Sequence, residues 1–160
     1  EVQTAINNFE NKETVKDYTM NQYDPEKGNA LVDYAWKMLE TYGSTQGYCA
    51  TGVSRTINMA YGISMRGNGC DWDKNMEKLV EQGLFIETTE DYPSSSDLSK
   101  LPAGAVVCWP NTTGTGGGGA EFGHVTIADG KGGEISDHYL QNILPSVGGS
   151  SENYRIFLPI

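Results

Sequence analysis

Cys49 stands where a helix should begin. It lies in the run Gly47-Tyr48-Cys49-Ala50-Thr51-Gly52-Val53-Ser54-Arg55-Thr56-Ile57. Before it, Tyr42-Gly43-Ser44-Thr45-Gln46-Gly47 reads as turn and cap material. After it, Val53, Ile57 and Ala60 recur at helical spacing. A thiol in the first turn of a helix sits beside unpaired backbone N–H groups and the positive end of the macrodipole, which both favour thiolate. A nearby histidine strengthens the effect. In that setting Cys49 is a nucleophile. The plainer reading is a small buried hydrophobe.

The chain holds two histidines. His124 opens the run Gly123-His124-Val125-Thr126-Ile127-Ala128-Asp129. From the start of a core strand its ring can reach across the sheet toward a helix terminus, take the thiol proton and later protonate a leaving amine. The alternative is a histidine satisfied at a strand edge. His138 is the rival, in Glu134-Ile135-Ser136-Asp137-His138. If Ile135 faces the core, Asp137 shares that face and His138 points away. Asp137 would then accept a hydrogen bond from the far nitrogen of His124 and fix its tautomer, as the third member of a triad does. Otherwise it is a turn or cap residue. Gln46, just ahead of Cys49, offers a side-chain amide to help the Cys49 N–H hold an oxyanion. Its plainer role is that of a solvent-facing loop residue.

These residues need helices and strands to carry them. Ala30 to Tyr42 places Leu31, Tyr34, Ala35, Met38, Leu39 and Tyr42 on one face, predicting an amphipathic helix. The Cys49 helix should stop near Tyr61-Gly62, and a third should run from Asp71 to Gln82, closed by Gly83. After Pro93 the character turns to strand: Ala105–Trp109, His124–Asp129, Glu134–Ser136 and Tyr154–Leu158. Helices first and an antiparallel sheet second is the α+β arrangement. Residues 1–27 read as a lead-in arm and 28–160 as one domain. The glycine-rich stretch from Asn111 to Gly123 lacks the Gly-Lys-Ser/Thr ending of a phosphate loop and reads as a rim or lid. Asp71-Trp72-Asp73-Lys74-Asn75 is a helix start rather than a calcium loop, since Met76 stands where glycine is needed. Trp72 and Trp109 read as core, Arg55 as a surface residue, and Glu87, Glu90 and Asp91 as a solvated face.

With 160 residues, 38% hydrophobic and 10% aromatic, the chain has enough for one folded core. No run approaches the ~18 apolar residues of a membrane span, and no signal segment opens the chain. Its opening on Glu1 rather than Met leads us to expect a processed protein or an excised domain. The net charge of −10 repels phosphate backbones and argues against nucleic-acid partners. It equally disfavours unaided adsorption to an anionic envelope, so delivery by other machinery is expected. Cys49, Cys70 and Cys108 match no CxxC metal or redox pattern. Cys70 and Cys108 form a disulfide in an oxidising compartment or remain plain thiols.

The order of these parts resembles the papain-like cell-wall amidases and peptidases, the CHAP and NlpC/P60 group. Gly47-Tyr48-Cys49 with its helix is similar to the nucleophile segment. Arg66-Gly67-Asn68-Gly69-Cys70-Asp71-Trp72 resembles the Gly-Asn-Ala-x-x-Trp segment of CHAP domains, and Leu101-Pro102-Ala103-Gly104-Ala105-Val106 the strand entry, with Ala105 where Asp is usual. Gly123-His124-Val125 with Ser136-Asp137 is similar to the Gly-His-Val strand and the acid that follows it. Type VI secretion amidase effectors share the pattern. The resemblance spans about residues 30–140. It implies a papain-like fold and cleavage of an amide bond in peptidoglycan stem peptides, with Cys49 as nucleophile, His124 as base and then acid, and Asp137 as orienter. No cofactor or metal is implied. A secreted or envelope-delivered module follows, carried by a phage particle or secretion apparatus, with an inhibitor or immunity protein as a further partner. The alternatives are a non-catalytic wall- or partner-binding domain on the same scaffold, and a cysteine protease or transamidase acting on protein.

Overall fold

Asp24 and Pro25 open helix α1 (Pro25–Tyr42). The Asp24 carboxylate accepts from the Lys27 N–H at 3.1 Å, and Pro25 fills a position whose own N–H would have no partner. The helix therefore starts at Pro25 rather than Ala30 and takes in the last residues of the expected lead-in arm. The computed structural model describes residues 21–110, 122–143 and 153–160, so residues 1–20 of that arm and most of the glycine-rich loop lie outside the described residues. Helix α2 spans Cys49–Tyr61 and ends on Gly62 at φ +70°, where the Gly62 N–H returns to the Asn58 carbonyl. A 3-10 turn, Gly69–Asp71, leads into α3 (Trp72–Glu81).

The sheet has six strands: β1 (Phe85–Glu87), β2 (Val106–Trp109), β3 (His124–Ala128), β4 (Glu134–Ile135), β5 (Tyr139–Leu140) and β6 (Arg155–Pro159). Their order is β1-β6-β2-β3-β4-β5, and every neighbouring pair is antiparallel. The chain is thus α+β, helices with one antiparallel sheet. β1 and β5 were not expected from the sequence, since runs this short offer no alternation to detect.

Alternation along the strands sorts two cores. Val106, Cys108, Val125, Ile127, Ile135 and Phe157 face the helices and meet Leu31, Ala35, Met38, Val53, Ile57, Trp72, Met76 and Leu79. Each such aliphatic or aromatic burial contributes about 1.5–3 kcal/mol. Val107, Trp109, Ala128, Ile156 and Leu158 point the other way, onto Tyr92, Leu98, Leu101 and Tyr154. Trp72 and Trp109 are core residues, as expected. All three cysteines are free thiols, so the Cys70–Cys108 bridge is not formed. Cys108 is consumed by the helix-facing core. Among the described residues no helix is long and apolar enough to cross a membrane.

Candidate active site

Cys49 is the first residue of α2, so its N–H has no intrahelical acceptor. The Tyr48 side chain does not cap this helix. A carboxylate from the sheet does the work instead: Asp137 Oδ2 accepts from the Tyr48 N–H at 2.9 Å and from Thr45 Oγ1 at 3.0 Å. The Asp137 carbonyl takes the Thr45 N–H at 2.8 Å. Its Oδ1 accepts from His138 Nδ1 at 2.9 Å and from Ser136 Oγ at 3.2 Å. Burial would raise the Asp137 pKa, but these hydrogen bonds and the His138 ring outweigh it and hold the carboxyl below its ordinary value. One turn into α2, Gly52 lets the helix close on the end of β4. A Cβ there would stand 2.2 Å from the Ser136 carbonyl oxygen.

His124 begins β3 opposite Trp109 of β2, with the two rings 5.4 Å apart. Gly69 presses against its backbone, and a Cβ on Gly69 would lie 2.6 Å from the His124 nitrogen. The Arg66–Trp72 segment thereby packs directly on the histidine. The Cys49 sulfur lies close enough to the imidazole to raise its pKa. The ring Nε2 donates to Glu134 Oε1 at 3.0 Å. The His124 and Glu134 side chains are only 12% and 2% exposed. Burial pushes the His124 pKa down; the Cys49 and Glu134 hydrogen bonds and charges overcome it and raise it to about 10. Glu134 Oε2 is buried without a partner among the described residues, so the ring is what compensates this carboxylate.

The structure brings Cys49 and His124 together and gives the third place to Glu134, not Asp137. The reason is strand parity. Val125 and Ile127 face the helices, which puts His124 on the same side of β3 as Ala128, and Ala128 pairs with Glu134. Asp137 does share the face of Ile135, but its carboxylate is taken up by the Tyr48 N–H, Thr45, Ser136 and His138 rather than by the His124 ring. His138 is held by Asp137 and is not the ring at the sulfur. The signal for Glu134 lies in the cross-strand register of β3 and β4, which one strand read alone does not contain.

A cleft of about 250 Å³ opens over the sulfur, lined by Tyr48, Cys49, Thr51, Asn68, Gly69 and Phe122 among others. Tyr48 and Phe122 are exposed aromatics at its edge. Gln46 is exposed and does not line this cleft, so the Cys49 N–H is the donor that the geometry offers an oxyanion. Among the described residues no group of three or more His, Cys, Asp or Glu side chains is placed to hold a metal ion. The arrangement is a sulfur at a helix N-terminus, an imidazole beside it, and a buried carboxylate behind the ring. Chemically it can hold a thiolate, deliver a proton and take one back. Comparison of the chain with protein-family models, with curated proteins and with solved structures gave no match.

Proposed function

We propose that this chain is a cysteine hydrolase on a papain-like scaffold that cleaves an amide bond of bacterial wall peptides. The observation that carries the reading is the His124 ring held by the buried Glu134 carboxylate at 3.0 Å, with Cys49 at the helix start beside it. A structural histidine does not need a thiol at a helix N-terminus beside it and a buried carboxylate on its Nε2. The Cys49 thiolate attacks the amide carbonyl, and the developing oxyanion meets the Cys49 N–H at the helix end. The C–N bond breaks as His124 gives its proton to the amine. Neutral His124 then takes a proton from water, which attacks the thioester, releases the carboxylic acid and returns the thiolate. Glu134 keeps the ring oriented and supports its charge through both steps.

Peptidoglycan as substrate rests on the resemblance in the nucleophile, Gly-Asn and Gly-His-Val segments. A net charge of −10 fits a module carried to the envelope by a phage particle or secretion apparatus, where electrostatic attraction is not needed. Incubation with purified sacculi, followed by mass spectrometry of the released fragments, tests the reading. Release is expected from the unaltered protein and not from Cys49→Ala, and the fragments identify the bond. Sacculi left intact by the unaltered protein would sink the wall-hydrolase reading.

A further inference from the structure

A second cavity of about 250 Å³ lies farther along α2, lined in part by Tyr42, Ser54, Arg55, Asn58, Ser64 and Arg66. Helix α2 and the segment 64–69 supply residues to both cavities. They are pinned together by Ser54 Oγ, which donates to the Met65 carbonyl, and by Asn58 Nδ2, which donates to Ser64 Oγ at 3.2 Å. Both cavities thus lie along α2 and the same neighbouring segment, one at the sulfur and one at the two arginines.

Those arginines are unusual in this chain, which has 11 basic against 21 acidic side chains. No Asp or Glu lines the cavity. Among the described residues neither Arg55 nor Arg66 forms an ion pair. Arg155, by contrast, is bound by three carboxylates. The Arg55 guanidinium stacks on the Tyr42 ring at 3.9 Å, which holds its plane and leaves its N–H edge free. The Arg66 backbone is fixed where its carbonyl accepts from Asn75 Nδ2 at 3.0 Å. Guanidinium forks together with amide and hydroxyl groups suit a carboxylate.

We infer that this cavity binds the terminal carboxylate of a peptide whose scissile amide lies at Cys49. The inference rests on the peptide-hydrolase reading and adds a specificity site to it. Distance sets the spacing. At about 1.5 Å of rise per residue, the stretch from Cys49 to Arg55 and Asn58 covers roughly 9–14 Å of helix. An extended peptide advances about 3.3–3.6 Å per residue, so the carboxylate belongs roughly three to four residues beyond the bond.

The test is a binding titration of the full chain, followed by amide and arginine side-chain NMR, with N-acetyl-tetraalanine and with its C-terminal amide. The free acid is expected to shift Arg55 and Arg66 signals saturably and to bind about tenfold more tightly than the amide. Arg55→Gln and Arg66→Gln, both exposed positions, should each weaken the acid about fivefold and leave the amide unchanged. Equal affinity for acid and amide, or shifts that map away from these arginines, would overturn the inference. So would tighter binding of inorganic phosphate alone than of the peptide acid, since the cavity would then be a plain anion hole. The titration needs no turnover. Intact sacculi would defeat the hydrolase reading and leave this result standing, and the reverse also holds.

Discussion

At the His124 ring, burial works against the charged form while Cys49 and Glu134 work for it, and the second influence wins, with the pKa raised to about 10 from 6.5. A folded value above the unfolded one means stability that is fully present below pH 6.5 and is lost as pH rises through about 10. The urea midpoint of the protein should therefore decline across that window, and Glu134→Gln should flatten the decline because the ring loses its carboxylate. On the proposed hydrolase reading, the same substitution should lower turnover by about 10²–10⁴-fold, the range of positioned acid–base catalysis. Iodoacetamide distinguishes the site from an inert thiol. Cys49 should be alkylated quickly at mildly acidic pH in the unaltered protein, with Cys70 and buried Cys108 spared, since burial raises both of their pKa values. Ordinary slow alkylation of Cys49 at that pH would favour a non-catalytic domain.

Between elements, the site depends on how closely α2 approaches the end of β4. Gly52→Ala improves helix propensity by about 1 kcal/mol, yet its Cβ would meet Ser136 backbone atoms at 2.2 and 2.5 Å. Backbone cannot rotate aside as a side chain does, so the net outcome expected is a loss of about 1–3 kcal/mol in chemical denaturation. A neutral or stabilised Gly52→Ala would show that the helix does not sit this close. Asp137 binds the same two elements from the other side. Its lowered pKa means stability present above the ordinary 3.8 and lost as pH falls through the folded value. Asp137→Asn should cost about 1–3 kcal/mol and shrink that acid loss, while leaving the alkaline decline set by His124 in place. What was legible beforehand follows from range. The Gly-Tyr-Cys start of α2 and the strand beginning at His124 are local patterns and stand as read, whereas of the α1 stripe Leu31, Ala35, Met38 and Leu39 are buried but Tyr42 is exposed. Glu134 was missed because choosing between the faces of β4 requires knowing which face His124 takes on β3. The early start of α1 was local and readable, since Asp24-Pro25-Glu26 carries the cap and first-turn chemistry of a helix start.

Across the whole molecule, the sheet lies between two apolar cores, and residues far apart in sequence must be tied for the helix layer to hold its place over it. Arg155 on β6 supplies one such tie. Its Nη2 and Nε hold Glu87 of β1 at 2.7 and 3.0 Å, and Nη1 reaches Glu77 at 2.7 Å and Asp73 at 3.2 Å, both on α3. Glu87 is therefore an ion-pair partner rather than part of a solvated face. Its carboxyl is held below the ordinary 4.5 chiefly by the Arg155 hydrogen bonds, which overcome burial. Arg155→Met would keep much of the packing and remove the charge. Asp73, only 6% exposed, would then be a nearly buried carboxylate without a cation. Fully buried pairs lose about 3–5 kcal/mol when one partner is removed; the Arg155 side chain is 26% exposed, so screening brings the expected cost nearer about 1–3 kcal/mol. The sign with pH separates this tie from the one at His124. Glu87 has a depressed pKa, so the tie contributes above pH 4.5 and fades on acidification, and Arg155→Met should lose less stability than the unaltered protein between pH 5 and 3. Equal acid slopes in the two proteins would mean that the carboxylates around Arg155 are already free in solution, and that apolar packing alone sets α3 against β1 and β6.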